Sequence, residues 1–161
     1  MTISVRKLTE YDARELAAFI VESYGTGTGT WFSSRPSEKE AELVVANKLK
    51  MQKKSKLIDN VAVVGGRIAG DCEIIIEKGV GLLGIIVAPG YRGSGVGRAV
   101  LMASLTDALT RGIHVIVAET EENNYSALSF FRKNGFMAVG AVTTVKKNGT
   151  ERKILRLELR L

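Results

Sequence analysis

Eight consecutive residues without a polar side chain, Val80-Gly-Leu-Leu-Gly-Ile-Ile-Val87, lead through Ala88 and Pro89 into a loop with glycine at 93, 95 and 97. A strand wetted on one side alternates apolar and polar residues, whereas a run that is apolar throughout reads as a strand covered on both faces. Pro89 stops it, because proline has no amide hydrogen to give to a ladder. The flanking segments supply the cover. Ile3, Val5 and Leu8 mark a first strand, and Thr9 stands where it can cap a helix carrying Leu16, Phe19, Ile20 and Tyr24 at helical spacing. A glycine-rich loop at 24–32 separates it from a second helix, opened by Pro36-Ser37-Glu38 and running to about Met51.

Strands at 61–64 and 67–76 flank Gly65-Gly66 as a hairpin with a primed turn. After the apolar run come a helix at 95–110, a buried strand at 113–118, a short helix at 124–134 and a strand at 136–146. Asn148-Gly149 turns that strand into 154–161, where Leu155, Leu157, Leu159 and Leu161 alternate with Arg156, Glu158 and Arg160. The order β-α-α-β-β-β-α-β-α-β-β describes a mixed α/β sheet in one domain spanning 1–161.

Composition removes several classes of chemistry. One cysteine, Cys72, and one histidine, His114, allow no intramolecular disulfide and none of the usual zinc ligand sets, so no metal is expected. His114, at the start of a buried strand, reads as a structural residue, and Cys72 as a small hydrophobe. Lys and Arg outnumber Asp and Glu by 23 to 17, giving +6 and favouring an anionic partner. Five lysines between 48 and 56 read as a solvated face more than as a nucleic-acid surface. No apolar run approaches the ~18 residues of a membrane span. The first residues lack a signal-peptide core, so a cytoplasmic chain without a membrane partner is expected.

The loop after the apolar run is the most informative stretch. Alternate glycines expose successive amides, a helix start follows, and Arg92 and Arg98 bracket the turn with permanent charge. Together they make a seat for a pyrophosphate. It is not a Walker loop, since Arg98-Ala99 follows the last glycine, and neither Gly93 nor Gly95 starts a Gly-x-Gly-x-x-Gly register.

Here the chain resembles the GCN5-related N-acetyltransferase (GNAT) superfamily. Its coenzyme A loop, Arg/Gln-x-x-Gly-x-Gly/Ala, stands as Arg92-Gly93-Ser94-Gly95-Val96-Gly97, preceded by Val87-x-Pro89-x-Tyr91. A second family motif stands at Asn124-x-x-Ala127-Leu128-x-x-Phe131-x-x-x-Gly135-Phe136. The resemblance covers nearly the whole chain and implies direct transfer of an acetyl group from acetyl-CoA to an amine acceptor, small molecule or protein. It implies a pyrophosphate held by the amides of Arg92, Gly93, Ser94, Gly95, Val96 and Gly97 with help from Arg98. It also implies that the fourth and fifth strands splay, with the pantetheine arm along Ile85, Ile86 and Val87 and Asn124 near its amide. Gly84 fits a bulge or a close backbone approach that would turn a fourth-strand N–H toward the thioester oxygen, while Gly81 and Gly84 fit equally well as packing against a neighbouring helix.

Two family positions differ. The fourth strand offers no carboxylate, which leaves Glu73 and Glu119 as the best candidate bases, with Asp71 and Glu22 behind them. Phe131 occupies the position where many members carry a tyrosine that protonates the leaving thiolate; Tyr125, Ser126 and Ser129 are poorly placed substitutes, and loss of the acid is the preferred reading. Trp31 and Phe32 either line the acceptor site or pin their loop to the core. A non-enzymatic module, an acyl-CoA sensor or a basic RNA-binding domain, is the opposing reading, and a homodimer stays open.

Overall fold

The computed structural model describes residues 1–24 and 34–161, so Trp31 and Phe32 lie outside the described residues. The strands are β1 (Ile3–Lys7), β2 (Leu57–Val64), β3 (Arg67–Glu77), β4 (Val80–Val87), β5 (Val115–Glu121), β6 (Met137–Val145) and β7 (Glu151–Arg160). They form one sheet in the order β1-β2-β3-β4-β5-β7-β6. The helices are α1 (Ala13–Ser23), α2 (Glu38–Lys53), α3 (Val96–Thr110) and α4 (Tyr125–Lys133). Among the described residues no helix is long and apolar enough to cross a membrane.

Local chemistry sets the boundaries. Ser37 starts α2 with a reciprocal cap: its hydroxyl accepts from Glu40 N at 3.2 Å, and the Glu40 carboxylate accepts from Ser37 N at 2.7 Å. Gly65 and Gly66 have φ of 57° and 78°, as the primed turn between β2 and β3 requires. Tyr24 caps α1 instead of extending it. Strand β2 begins at Leu57, four residues before the apolar run suggests, because its polar pair finds partners inside. Asn60 Nδ2 donates to Ser104 Oγ at 3.1 Å and to Asp107 Oδ2 at 3.0 Å, both on α3, while Asp59 faces α2. Strand β7 likewise starts early, at Glu151, carried by the ladder with β6.

The sheet separates two cores. On one face Leu83, Val100, Leu101, Ile116, Phe131 and Leu157 pack under α3 and α4. On the other, Leu16, Phe19, Ile20, Val45, Val61 and Ile86 pack under α1 and α2. β4 contributes to both, but Leu82, Gly84, Ile85 and Val87 are only half-buried, so its cover is less complete than its composition suggests. The reason lies beside it. Parallel pairing with β5 is confined to Gly81–Ile116, Leu82–Val117 and Leu83–Ala118, after which the two strands part.

On its other edge β4 pairs with β3 in unbroken register from Val80–Glu77 to Val87–Gly70. A bulge, one of the readings that Gly84 admits, is therefore absent from the ladder with β3; divergence of β5 frees that edge without one. Gly81 packs against strands, not a helix: a Cβ there would lie 2.6 Å from Ile74 Cγ2 and 2.7 Å from Ile116 Cδ1. Gly81→Val should therefore lower stability by about 1–3 kcal/mol through overpacking. Urea unfolding reads this directly, and an unchanged midpoint would show that the two isoleucines yield.

Candidate functional site

At the point where β4 leaves β5, the chain makes a single 3-10 turn at Pro89–Tyr91 and then enters α3. Gly93 (φ 72°) and Gly95 (φ 92°) adopt the left-handed conformation, which side-chain-bearing residues resist. The turn uses the amides of Tyr91, Arg92 and Ser94, which donate to Ala88 O, Pro89 O and Tyr91 O, whereas those of Gly93, Gly95, Val96, Gly97 and Arg98 carry no backbone hydrogen bond among the described residues. Those free donors stand at the positive end of a fifteen-residue helix. Gly97 lets the helix sit close to its neighbours, since a Cβ there would meet Phe130 Cε2 and Val87 Cγ2, each at 3.2 Å. Arg92, Ser94 and Arg98 are exposed around the rim. Orphaned amides, helix dipole and two guanidinium groups fit a polyanion such as a pyrophosphate.

Helix α4 flanks this loop. The Asn124 side chain caps it by accepting from Ala127 N at 3.2 Å. Phe131 is a core residue, 5% exposed, with ring centroids 5.6 Å from Phe130 and 5.1 Å from Phe136. It offers no proton, and Tyr125, at the start of the helix, is 77% exposed.

The candidate bases fall in different places. Glu119 is exposed and lies 3.4 Å from Arg156. Glu22 is exposed on α1, and the His114 side chain, expected to be buried, is exposed just before β5. Cys72 is fully buried, and burial pushes its thiol far above the ordinary range, in keeping with an inert hydrophobe. Glu73 and Asp71 instead join a buried charge cluster that the sequence did not reveal. Lys48, counted above with a solvated lysine face, turns inward from α2 and is 5% exposed. Its Nζ lies 2.6 Å from Asp71 Oδ2, 3.0 Å from Asp59 Oδ2 and 3.1 Å from Glu73 Oε2.

Three carboxyls thus surround one ammonium, all nearly water-free. Asp59 approaches Lys48 without hydrogen-bonding geometry and lies within hydrogen-bond reach of the adjacent Asp71 carboxyl. Burial and then the adjacent Asp71 carboxyl hold Asp59 well above the usual carboxylate range. Burial also raises Glu73, with Lys48 opposing and Asp71 adding. Lys48 is raised well above an ordinary lysine, because its three carboxyl neighbours outweigh the cost of burial.

Above the cluster, a groove of about 380 Å³ opens between α2 and the ends of β2 and β3. Leu43, Val44, Met51, Leu57 and Ile75 give it apolar walls, Asn47 stands on the wall, and Lys48 and Glu73 form its polar floor. Asp59 and Asp71 do not line it. Directly across the ladder from Glu73 is Gly84, the first β4 residue beyond the β5 pairing. Opposed residues of an antiparallel pair share a face, and Gly84 has no side chain to screen the Glu73 carboxyl on that side.

Comparison with known proteins gives this geometry a context. Residues 26–136 match the model of the acetyltransferase (GNAT) family. N-alpha-acetyltransferase 30 of Schizosaccharomyces pombe is 33% identical over 98 residues, 58% of this chain, and the match spans 63% of that protein's length. Among solved structures, the ribosomal L7/L12 alpha-N-protein acetyltransferase RimL, in complex with coenzyme A, superposes with a TM-score of 0.86 at 17% identity, covering 100% of this chain and 95% of that one. The yncA protein of Salmonella typhimurium, with its cofactor acetyl-CoA, gives 0.82 at 20% identity, with 100% and 95% covered. At these identities the structural likeness speaks for the fold.

The charge cluster makes a prediction about pH. Asp59 and Glu73 are raised in the folded chain above their unfolded values of about 3.9 and 4.3. Their contribution to stability is therefore complete below those unfolded values and is lost as pH rises through the raised folded ones. Asp59→Asn removes one of the groups that ionise at this cost. Its stability relative to the parent should rise from about pH 4 upward into the neutral range. Urea midpoints of both proteins across that range check it; parallel curves would show that Asp59 does not titrate there.

Proposed function

Because the chain belongs to the acetyltransferase (GNAT) family, we propose that it transfers an acetyl group from acetyl-CoA directly to an amine. The observation that carries this reading is the set of amides at the start of α3 that have no backbone partner among the described residues, opening where β4 and β5 separate. Gly93, Gly95, Val96 and Gly97, with Arg92, Ser94 and Arg98 at the rim, would hold the pyrophosphate of the donor. The edge of β4 released by β5, at Ile85, Ile86 and Val87, would pair with the pantetheine arm. An amide on that edge is available to the thioester oxygen as negative charge develops on it. Asn124 stands at the adjacent helix end, where its cap already fixes its orientation.

Protonation of the leaving group is not assigned to any side chain. Phe131 is locked in an aromatic cluster, and a thiol with a pKa of about 8.5 is a fair leaving group as the thiolate. An enzyme without a dedicated acid follows. The nucleic-acid alternative loses support from the inward turn of Lys48, since the lysine cluster on which it rests spends one member on the interior.

Titration of acetyl-CoA into the purified chain should give micromolar binding that weakens with salt. Gly95→Val should weaken it about 100-fold or more with unchanged circular dichroism, since a β-branched residue resists the left-handed conformation and crowds the cradle. Equal affinity of the two proteins would remove the pyrophosphate assignment.

A further inference from the structure

The sheet has two outer strands, and they are built differently. β1 forms one edge with five residues that include Arg6 and Lys7. Arg6 is held by Asp12, two guanidinium nitrogens each donating to one carboxylate oxygen at 2.7 Å. A short edge strand that carries charge resists pairing with another chain. β6 forms the other edge, where its one sheet neighbour is β7, and it has no such guard. Its nine residues, Met137-Ala-Val-Gly-Ala-Val-Thr-Thr-Val145, include neither a charge nor a proline. All but Thr144 are exposed, and Met137, Val139, Val142 and Val145 are each more than half exposed. Three valines and two threonines favour extended backbone, so the edge offers another strand a regular row of amides and carbonyls.

We propose that β6 pairs with β6 of a second copy of this chain, antiparallel across a twofold axis, joining two seven-stranded sheets into one. The inference is independent of the acetyl-transfer reading. The occupant of such an edge must be extended, uncharged and unpaired on one side, and β6 itself meets all three conditions. Each copy carries +6, so an uncharged strand is where two copies meet with least repulsion. The guarded β1 edge closes off head-to-tail growth from β6 to β1, and assembly stops at two. Paired residues of an antiparallel ladder share a face, so a twofold axis normal to the sheet sets one residue opposite itself. The register with β7 is regular from Gly140–Arg156 to Val145–Glu151, with its irregularity between Ala138 and Gly140. A twofold at Val142 keeps the pairing inside that regular stretch: Gly140 meets Thr144, Ala141 meets Thr143, and Val142 meets its own copy. Nine residues at about 3.4 Å each, in a sheet about 10 Å thick, give an edge of about 300 Å² per copy before side chains on the two faces are added. A standard interface takes about 800 Å² from each partner, so this dimer is a small one, in exchange with monomer at micromolar concentration.

Sedimentation equilibrium of the whole chain is the test. Between about 5 and 500 µM the weight-average mass should climb from 17.4 kDa toward twice that value and stop there. Val142→Lys sets two ammonium groups face to face and should raise the dissociation constant about tenfold or more; Val142→Glu should do the same with two carboxylates. An equimolar mixture of the two variants should recover association, since each charge then meets its opposite. Circular dichroism matching the parent shows that the variants are folded. A mass of 17.4 kDa at every concentration overturns the proposal and leaves the edge to a different polypeptide, while growth past the dimer overturns the closed pairing. Variants that associate like the parent overturn the assignment to β6, and a mixture that stays monomeric overturns the self-opposed register. Should either variant fail to fold, amide hydrogen exchange of the unaltered protein decides. Exchange across residues 139–145 should slow at the high concentration, and equal rates at both would overturn the pairing.

Discussion

Three residue pairs join the two antiparallel halves of the sheet. Gly81, Leu82 and Leu83 of β4 meet Ile116, Val117 and Ala118 of β5, and everything else in the molecule is arranged around how short that contact is. Parallel pairing is slightly weaker per residue than antiparallel pairing, so a ladder of three needs support from side chains. Gly81 gives it, letting Ile74 and Ile116 close over the junction more tightly than any Cβ would permit. Beyond Leu83 the strands are free to part because β4 is held by β3 along its whole length and β5 by β7 along its own. The cleft is thus built from two well-paired halves with a narrow hinge between them, and it requires no irregularity within β4 itself. At its open end stands the start of α3, with its unpartnered amides.

A second constraint acts on the opposite face. Helix α2 is tied to β2 and β3 by Lys48, which is in contact with Asp59, Asp71 and Glu73. Buried ion pairs of this kind add little net stability, because desolvation offsets the Coulomb attraction, yet removing the single cation would leave uncompensated acid at a cost of about 3–5 kcal/mol. The cluster therefore fixes where α2 lies more than it strengthens the fold. That placement leaves the groove open beside it, with Glu73 as the one acid among the described residues that lines it.

Much of this was legible from residue order. The apolar run and its proline located β4 to the residue, and the glycines at 93 and 95 located the left-handed turn before α3. Alternation in the leucines of β7 marked its inward face, where Leu157 is fully buried. What escaped was polar chemistry in the interior. Asp59 and Asn60 look like the end of a loop in sequence, and only the distant partners Lys48, Ser104 and Asp107 make them strand residues. Lys48 is indistinguishable from its exposed neighbours along the chain, because a helix with a modest apolar stripe gives no sign of which lysine turns in. Gly84 misled for a related reason: a glycine inside a strand suggests a bulge, but here it sits in a regular ladder opposite Glu73.

Local and global preferences agree through most of the chain, as they do in sequences that specify one structure. The caps, the primed turn and the alternating strands all favour the fold they are found in. The disagreement is concentrated in one place. Three acids buried around one lysine are costly to desolvate, and burial raises two of them above the usual carboxylate range. Aliphatic residues of similar volume replacing Lys48, Asp59, Asp71 and Glu73 together would serve the core at least as well. The same burial that makes these carboxyls costly lifts the proton affinity of Asp59 and Glu73, so the cluster limits its own charge by holding protons.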